Sequence, residues 1–245
     1  MALSLLGACA KPVLSPRASA AAASIATVPT AQTTPTLHYP QTKPVDQSLP
    51  LRVRSRSLKV GQAGNETVFY GGVTVTHDTM VLTAKELRSH DQGKTALAVG
   101  NVILLDPDRK VQAQAQEVEY GDAMREAKLR GNVRLLSIDP YGLGVTLTGQ
   151  SATYLALSES ASAEGGVTIY RGTLTATAGS AEMLGGGAYV YLSNGVEAQL
   201  GPNQARSNEA EMVADGRSLT LKGAVRARFI PSDVRKAAAN PADVK

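Results

Sequence analysis

The residues that could support catalysis or metal binding are few and lie far apart in the sequence. The three histidines, His38, His77 and His90, have neither the spacing of a metal-ligand pair nor that of a triad base. We therefore interpret them as solvated residues of a linker and of turns. The sequence also lacks a glycine-rich nucleotide-binding loop and a Gly-x-Ser-x-Gly nucleophile elbow. These observations predict a protein with no catalytic set, no metal site and no cofactor.

Paired acidic residues alternate along two predicted strands. Glu117 and Glu119 form one pair, and Glu209 and Glu211 form another. Side chains two positions apart point to the same face of a strand, so each pair could bring two carboxylates together. A solvated strand face accounts for this spacing better than a carboxylate dyad or a calcium site does.

Basic residues are concentrated near the amino terminus. The net charge of the chain is +4, but residues 1–56 contain six basic groups and one acid, and residues 57–230 are slightly acidic. Without a basic face on the folded part, we expect no nucleic-acid partner. Arg52, Arg54 and Arg56 share one face of a predicted first strand. They either guard an exposed sheet edge or contact lipid phosphates or an acidic partner.

The single cysteine, Cys9, ends the tetrad Leu6-Gly7-Ala8-Cys9 after a short apolar stretch. One cysteine excludes an intramolecular disulfide. The tetrad resembles the bacterial lipobox, in which the cysteine becomes the lipidated first residue of the mature protein. This resemblance implies a signal peptide over residues 1–9, export to the periplasm and a membrane anchor on Cys9. The alternative is a chance cysteine in a disordered amino terminus, since no Lys or Arg precedes the apolar stretch.

The composition divides the remainder of the chain into three parts. Residues 10–50 are rich in Ala, Thr, Ser, Gln and Pro and are interpreted as a disordered linker. Residues 51–230 are interpreted as one folded domain, and residues 231–245 as a polar tail. No run of 18 apolar residues is present, so the sequence predicts no membrane-spanning helix.

A short Gly-x-Val pattern, in which Asn replaces the first Gly at one site, returns six times within residues 51–230. Its valines are 29 to 34 residues apart, a period typical of stacked supersecondary units. We expect Gly100 and Gly131 of this pattern to have positive φ, at a turn or bulge that enters a strand. The six sites are Gly71-Gly72-Val73, Gly100-Asn101-Val102, Gly131-Asn132-Val133, Gly165-Gly166-Val167, Asn194-Gly195-Val196 and Gly223-Ala224-Val225.

Within each repeat, apolar and polar residues alternate with a period of two. This period predicts an all-β fold of about a dozen antiparallel strands with one apolar face. The small aliphatic lining indicates either a trough for acyl chains or the dry core of a narrow sandwich, and composition leaves both open. The predicted lining residues are Val73, Val75, Leu82, Ala84, Val102, Leu104, Val111, Ala113, Val133, Leu135, Val145, Leu147, Val167 and Ile169.

The segment 69–87, FYGGVTVTHDTMVLTAKEL, is similar to the opening repeat of the LptA/OstA-like (LptA/LptC) family of lipopolysaccharide-transport proteins. Gly72 replaces the family's usual Asn and Lys85 its usual acid, while Asn101 and Asn132 restore the Gly-Asn-Val form in the next repeats. The resemblance covers residues 51–230. The positions that carry it in register are Phe69, Gly71, Val73, Val75, Leu82, Ala84 and Leu87.

The resemblance implies a β-jelly-roll forming an open, V-shaped trough. It further implies a non-enzymatic envelope protein that holds the acyl chains of lipopolysaccharide, or of another envelope lipid, inside the trough and passes the lipid towards the outer membrane. Partners would be other jelly-roll transport proteins, or copies of this chain stacked head to tail, joined through edge strands. The alternative function is a structural β-repeat spacer or surface lipoprotein of the cell envelope that binds no ligand.

Overall fold

A computed structural model describes residues 51–61, 66–90, 95–121, 125–214 and 218–230. The predictions for residues 1–9, including Cys9, and for residues 10–50 and 231–245 concern parts of the chain outside these ranges. The described residues form sixteen strands and one 3-10 turn, Gly185–Gly187. The strands are β1 (Arg52–Arg54), β2 (Ser57–Val60), β3 (Glu66–His77), β4 (Met80–His90), β5 (Thr95–Asp106), β6 (Val111–Gly121), β7 (Glu126–Ile138), β8 (Gly144–Leu155), β9 (Ser160–Arg171), β10 (Leu174–Leu184), β11 (Tyr189–Ser193), β12 (Val196–Leu200), β13 (Asn203–Ser207), β14 (Glu209–Val213), β15 (Ser218–Lys222) and β16 (Arg226–Arg228).

All of these strands belong to one antiparallel sheet whose order follows the chain. From β3 to β10 each strand pairs with the strand before it and the strand after it. Some long strands are interrupted, and each of these is counted as two consecutive short strands. The four interrupted strands are β1 with β2, β11 with β12, β13 with β14, and β15 with β16. Counting each as one strand reduces the sixteen described strands to the predicted dozen. The sheet stays open, with β1 and β2 at one edge and β15 and β16 at the other. The prediction of an all-β, antiparallel, open trough is confirmed.

A row of bulges crosses the middle of the long strands. The register of each pair from β3/β4 to β9/β10 shifts there. The predicted positive φ is confirmed at Gly100 (φ 88°) and at Gly131 (φ 77°). A side chain at Gly100 would also be crowded, because its Cβ would lie 2.8 Å from Cδ of Lys85 on the neighbouring strand. The next position in the pattern tolerates Asn, and Asn101 takes φ 51°.

The bulges change which residues face inwards. On β4, Leu82 and Ala84 are buried two positions apart, but the next buried residue is Leu87, three positions on. On β6 the same step of three separates Ala115 from Val118. Each bulge sets two residues of an odd-numbered strand, such as Gly100 and Asn101, opposite a single residue of its neighbour. The even-numbered strands change phase there, and the apolar side chains of both halves of the long strands join one buried core.

Candidate functional site: an apolar interior between two walls

Two walls enclose this core. Each wall is formed by the halves of the long strands that lie on one side of the bulge row. The first wall contains all fourteen lining residues predicted from the sequence, each no more than 9% exposed, together with Met80, Ala115, Ala176 and Ala178. The second wall, on the other side of the bulge row, was not predicted. Its buried residues are Leu87, Ala98, Val118, Tyr120, Ala127, Leu129, Ala152, Tyr154, Ala161, Ala163, Ala181, Met183, Val190 and Leu192. Contact of any of these residues with a lipid stays a prediction.

The second wall is bulkier than the composition indicated. Two tyrosines, Tyr120 and Tyr154, are buried in it, and neither hydroxyl has a hydrogen-bond partner within the described part of the chain. Burial raises the pKa of both hydroxyls well above the usual value of a tyrosine. An unpaired hydroxyl in an apolar wall is a potential donor to a ligand that enters the interior.

The free ends of the two walls are joined by a line of hydrogen bonds, here called the seam. Nε of Arg109 donates to the carbonyl oxygen of Ala156 at 3.0 Å, and Oγ of Ser137 donates to that of Gly186 at 2.7 Å. Nη1 of Arg171 lies 3.4 Å from the carbonyl oxygen of Val213. Each bond joins a strand end or turn of the first wall to a strand end or turn of the second wall, so the seam holds the two walls together on the side opposite the bulges.

Two buried ion pairs hold the seam arginines in place. Nη1 of Arg109 lies 3.0 Å from Oδ2 of Asp106, and Nη2 of Arg171 lies 2.8 Å from Oδ2 of Asp139. The other oxygen of Asp139 accepts hydrogen bonds from backbone N–H groups of its own turn. Both carboxylates are almost wholly buried and paired with a cation, so we interpret them as structural.

The interior opens where the two walls separate, at its carboxyl-terminal end. A cavity of about 570 Å³ lies there between the β12–β13 hairpin and β15. Leu174, Leu219 and Leu221 line it and are half-buried, in contrast to the fully buried first-wall residues further along the trough. This volume is within the usual range of small-molecule sites, and the lining is mostly apolar.

The outer faces of the two walls are solvated. The outer face of the second wall has exposed ion pairs, including Arg130–Glu119 at 3.7 Å and Lys222–Glu211 at 2.9 Å. The hydrogen bond that Nζ of Lys222 donates to Glu211 raises the pKa of Lys222. The paired acids of the sequence therefore lie on a solvated strand face, as predicted, and Glu119 and Glu211 each have a basic partner.

The structure corrects one prediction about the histidines. His77 is not solvated but buried, 3% exposed, and its Nδ1 has no hydrogen-bond partner among the described residues. It occupies the inward position that ends β3, next to the turn at Asp78. His90 is exposed at the end of β4. Within the described ranges no group of His, Cys, Asp and Glu could hold a metal ion.

The fold and interior define an all-β domain with an enclosed apolar space. Residues 52–140, from β1 to the turn after β7, match the model of a family described as LptA/(LptD N-terminal domain) LPS transport protein. The resemblance to the LptA/OstA family predicted from residues 69–87 is confirmed for this part of the chain. No helix of the described residues is long and apolar enough to cross a membrane.

Among the solved structures that are similar to this chain is one whose similarity extends over most of its length. It is titled "Crystal structure of LptH, the LptA homologous periplasmic component of the conserved lipopolysaccharide transport device from Pseudomonas aeruginosa". The two sequences are 13% identical, the TM-score is 0.29, and the similarity covers 77% of this chain and 100% of the other. Among curated proteins, none matches this chain.

Proposed function

We propose that this domain is a non-enzymatic carrier of lipopolysaccharide, or of a related envelope lipid, in the periplasm. The observation that carries the proposal is the apolar interior, which is lined by both walls and opens into the cavity beside β15. The family match of residues 52–140 supports the same role. An acyl chain in this interior gains about 0.8 kcal/mol for each methylene that leaves water.

Beyond the cavity beside β15, a lipid can enter only if the walls separate, because the lining residues there already contact one another. The seam is the place where separation requires the least change, since turns and strand ends meet there through individual hydrogen bonds. The bond from Ser137 contributes about 1 kcal/mol net, and each bond from an arginine contributes about 1.5–3 kcal/mol. An acyl chain of roughly ten methylenes gains about 8 kcal/mol on burial, which exceeds the contribution of the three seam bonds.

The near-complete burial of the lining also favours a second candidate, a spacer without ligand. Photo-crosslinking to lipopolysaccharide separates the two candidates. Probes at the inward positions Leu104 and Leu129, one on each wall, should label the lipid, whereas probes at the outward positions Thr168 and Thr153 should not. Leu104→Arg should abolish labelling from Leu129, because an unpaired charge would lie inside the trough. Equal labelling at inward and outward positions, or none at all, would support the spacer.

The sheet edges are the surfaces through which the domain would join its partners. β1 and β2 at one edge and β15 and β16 at the other have ladder partners on one side only within the described residues. Such edges can add a strand from another jelly-roll domain, which would continue the trough from one protein to the next. A lipid anchor on Cys9, if present, would hold this assembly at a membrane.

A further inference from the structure

Both edges of the sheet carry basic side chains. β1 has the sequence RVR, β2 SLKV, β15 SLTLK and β16 RAR, so these four strands together contain no acidic residue. Arg52 and Arg54 are exposed on β1, and Arg226 and Arg228 are exposed on β16. The two ends of the trough are therefore alike in charge.

The arginines lie on the same, outer face of the first wall at both edges. Val53 of β1 pairs with the buried Val75, so the alternating Arg52 and Arg54 point outwards. At the other edge Ala227 pairs with Ala205, which lines the interior cavity. Its neighbours Arg226 and Arg228 consequently point outwards as well.

Head-to-tail stacking of two copies would bring these arginines together. If β16 of one copy paired with β1 of the next, outward side chains on the two strands would be about 5 Å apart. Like charges at that distance in water lower the affinity about four-fold for each facing pair at low salt. Glutamates on a partner strand would raise it by a similar factor.

We infer that the edges select a different protein whose edge strand carries acidic side chains, and that they oppose stacking of this chain on itself. The inference rests on the edge-to-edge contact of the proposed function and names the kind of partner that the contact accepts. Lipid is not needed for its test, so failure of lipid binding and failure of this inference are distinguishable.

The test uses a charge-reversed copy of the full chain as the acidic partner. Arg226→Glu/Arg228→Glu gives an acidic carboxyl-terminal edge and leaves the amino-terminal edge basic. In sedimentation-velocity experiments at low salt, the wild type should remain monomeric and this variant should form concentration-dependent oligomers. Mixed with the wild type, it should pair its acidic edge with the wild-type β1. Association should weaken about two- to three-fold when the salt rises from about 0.01 M to about 0.15 M, because the Debye length falls from roughly 30 Å to about 8 Å.

Two further variants control for net charge and for the edge that pairs. Arg130→Glu/Arg134→Glu makes the same change in net charge on exposed outward positions of β7 and should leave the protein monomeric. Adding Arg52→Glu/Arg54→Glu to the first variant places acids at both edges and should abolish its assembly.

Three results would overturn the inference. The first is a wild type that stacks on itself at low salt as strongly as the charge-reversed variant. The second is a charge-reversed variant that stays monomeric, which would leave the arginines as guards against aggregation. The third combines two observations: the wild type binds anionic phospholipid vesicles and Arg52→Glu/Arg54→Glu does not, while the charge-reversed variant fails to assemble. This result would assign the arginines to lipid phosphates.

Discussion

The Asp106–Arg109 ion pair gives a direct test of how the seam is stabilised. The side chain of Asp106 is fully buried and that of Arg109 is 4% exposed. Asp106→Ala removes the carboxylate from a buried guanidinium that also bonds the carbonyl of Ala156 across the seam. Removing one partner of a buried pair costs about 3–5 kcal/mol, a large part of the 5–15 kcal/mol stability typical of a domain.

Urea unfolding followed by circular dichroism measures this effect. With an m-value of about 2 kcal/mol/M, the midpoint of Asp106→Ala should fall by roughly 1.5–2.5 M. The matched control is Glu119→Ala, which removes an exposed pair with Arg130 and should cost no more than about 1 kcal/mol. Asp106→Ala/Arg109→Met removes both charges and should recover at least about 2 kcal/mol of the loss. If Asp106→Ala shifted the midpoint no more than Glu119→Ala does, the buried pair would not hold the seam.

Four other expectations follow from single positions. Gly100→Ala should destabilise the protein more than Gly72→Ala, because both residues have positive φ but only the first would contact a neighbouring side chain; unfolding midpoints that agree would contradict this. Tyr120→Phe should be neutral or stabilising at pH 7, because it removes an unpaired buried hydroxyl. Burial raises the pKa of this hydroxyl in the folded state, whereas in the unfolded state it ionises at a pH of about 10. Ionisation therefore favours the unfolded state above that pH, and the protein loses stability as the pH rises further. Tyr120→Phe should reduce this alkaline loss, measured by unfolding at increasing pH. Ser137→Ala should weaken the seam by about 1 kcal/mol and speed amide exchange in the 3-10 turn several-fold; unchanged exchange would argue against the seam bond. Cys9→Ala should release the protein from the membrane fraction, and a wild type that is wholly soluble with Met1 retained would end the lipoprotein hypothesis.

Strand alternation was sufficient to predict the first wall but not the second. Residues such as Val75 alternate with polar neighbours and directly follow the recognisable Gly-x-Val pattern. On each even-numbered strand the phase changes at a single residue, such as Lys85 or Gln116, that lies opposite two bulged residues of its neighbour and has no distinctive composition. The signal that could have located the second wall is the step of three between apolar residues, as from Ala84 to Leu87.

The buried polar groups were beyond the reach of sequence patterns. Asp106 and Asp139 precede prolines, which is a turn signal in the sequence, and both lie at turns. Their burial depends on partners that the turn pattern does not specify, since Arg171 is 32 residues from Asp139. The burial of His77 has another cause. The inward register of β3 continues to this last residue of the strand, and this register outweighs the polarity of the side chain.

The seam also determines how much chain must exist before the fold can close. Sheet pairing is local, so each hairpin can form as soon as it has been synthesised. The seam contacts are not local, because they join residues 47, 49 and 42 positions apart. A nascent or truncated chain would therefore hold its most recent hairpins as an unfastened sheet with the apolar face exposed. Those hairpins can be covered only after one to two further repeats have been synthesised, which makes the last repeats a condition for closing the earlier ones.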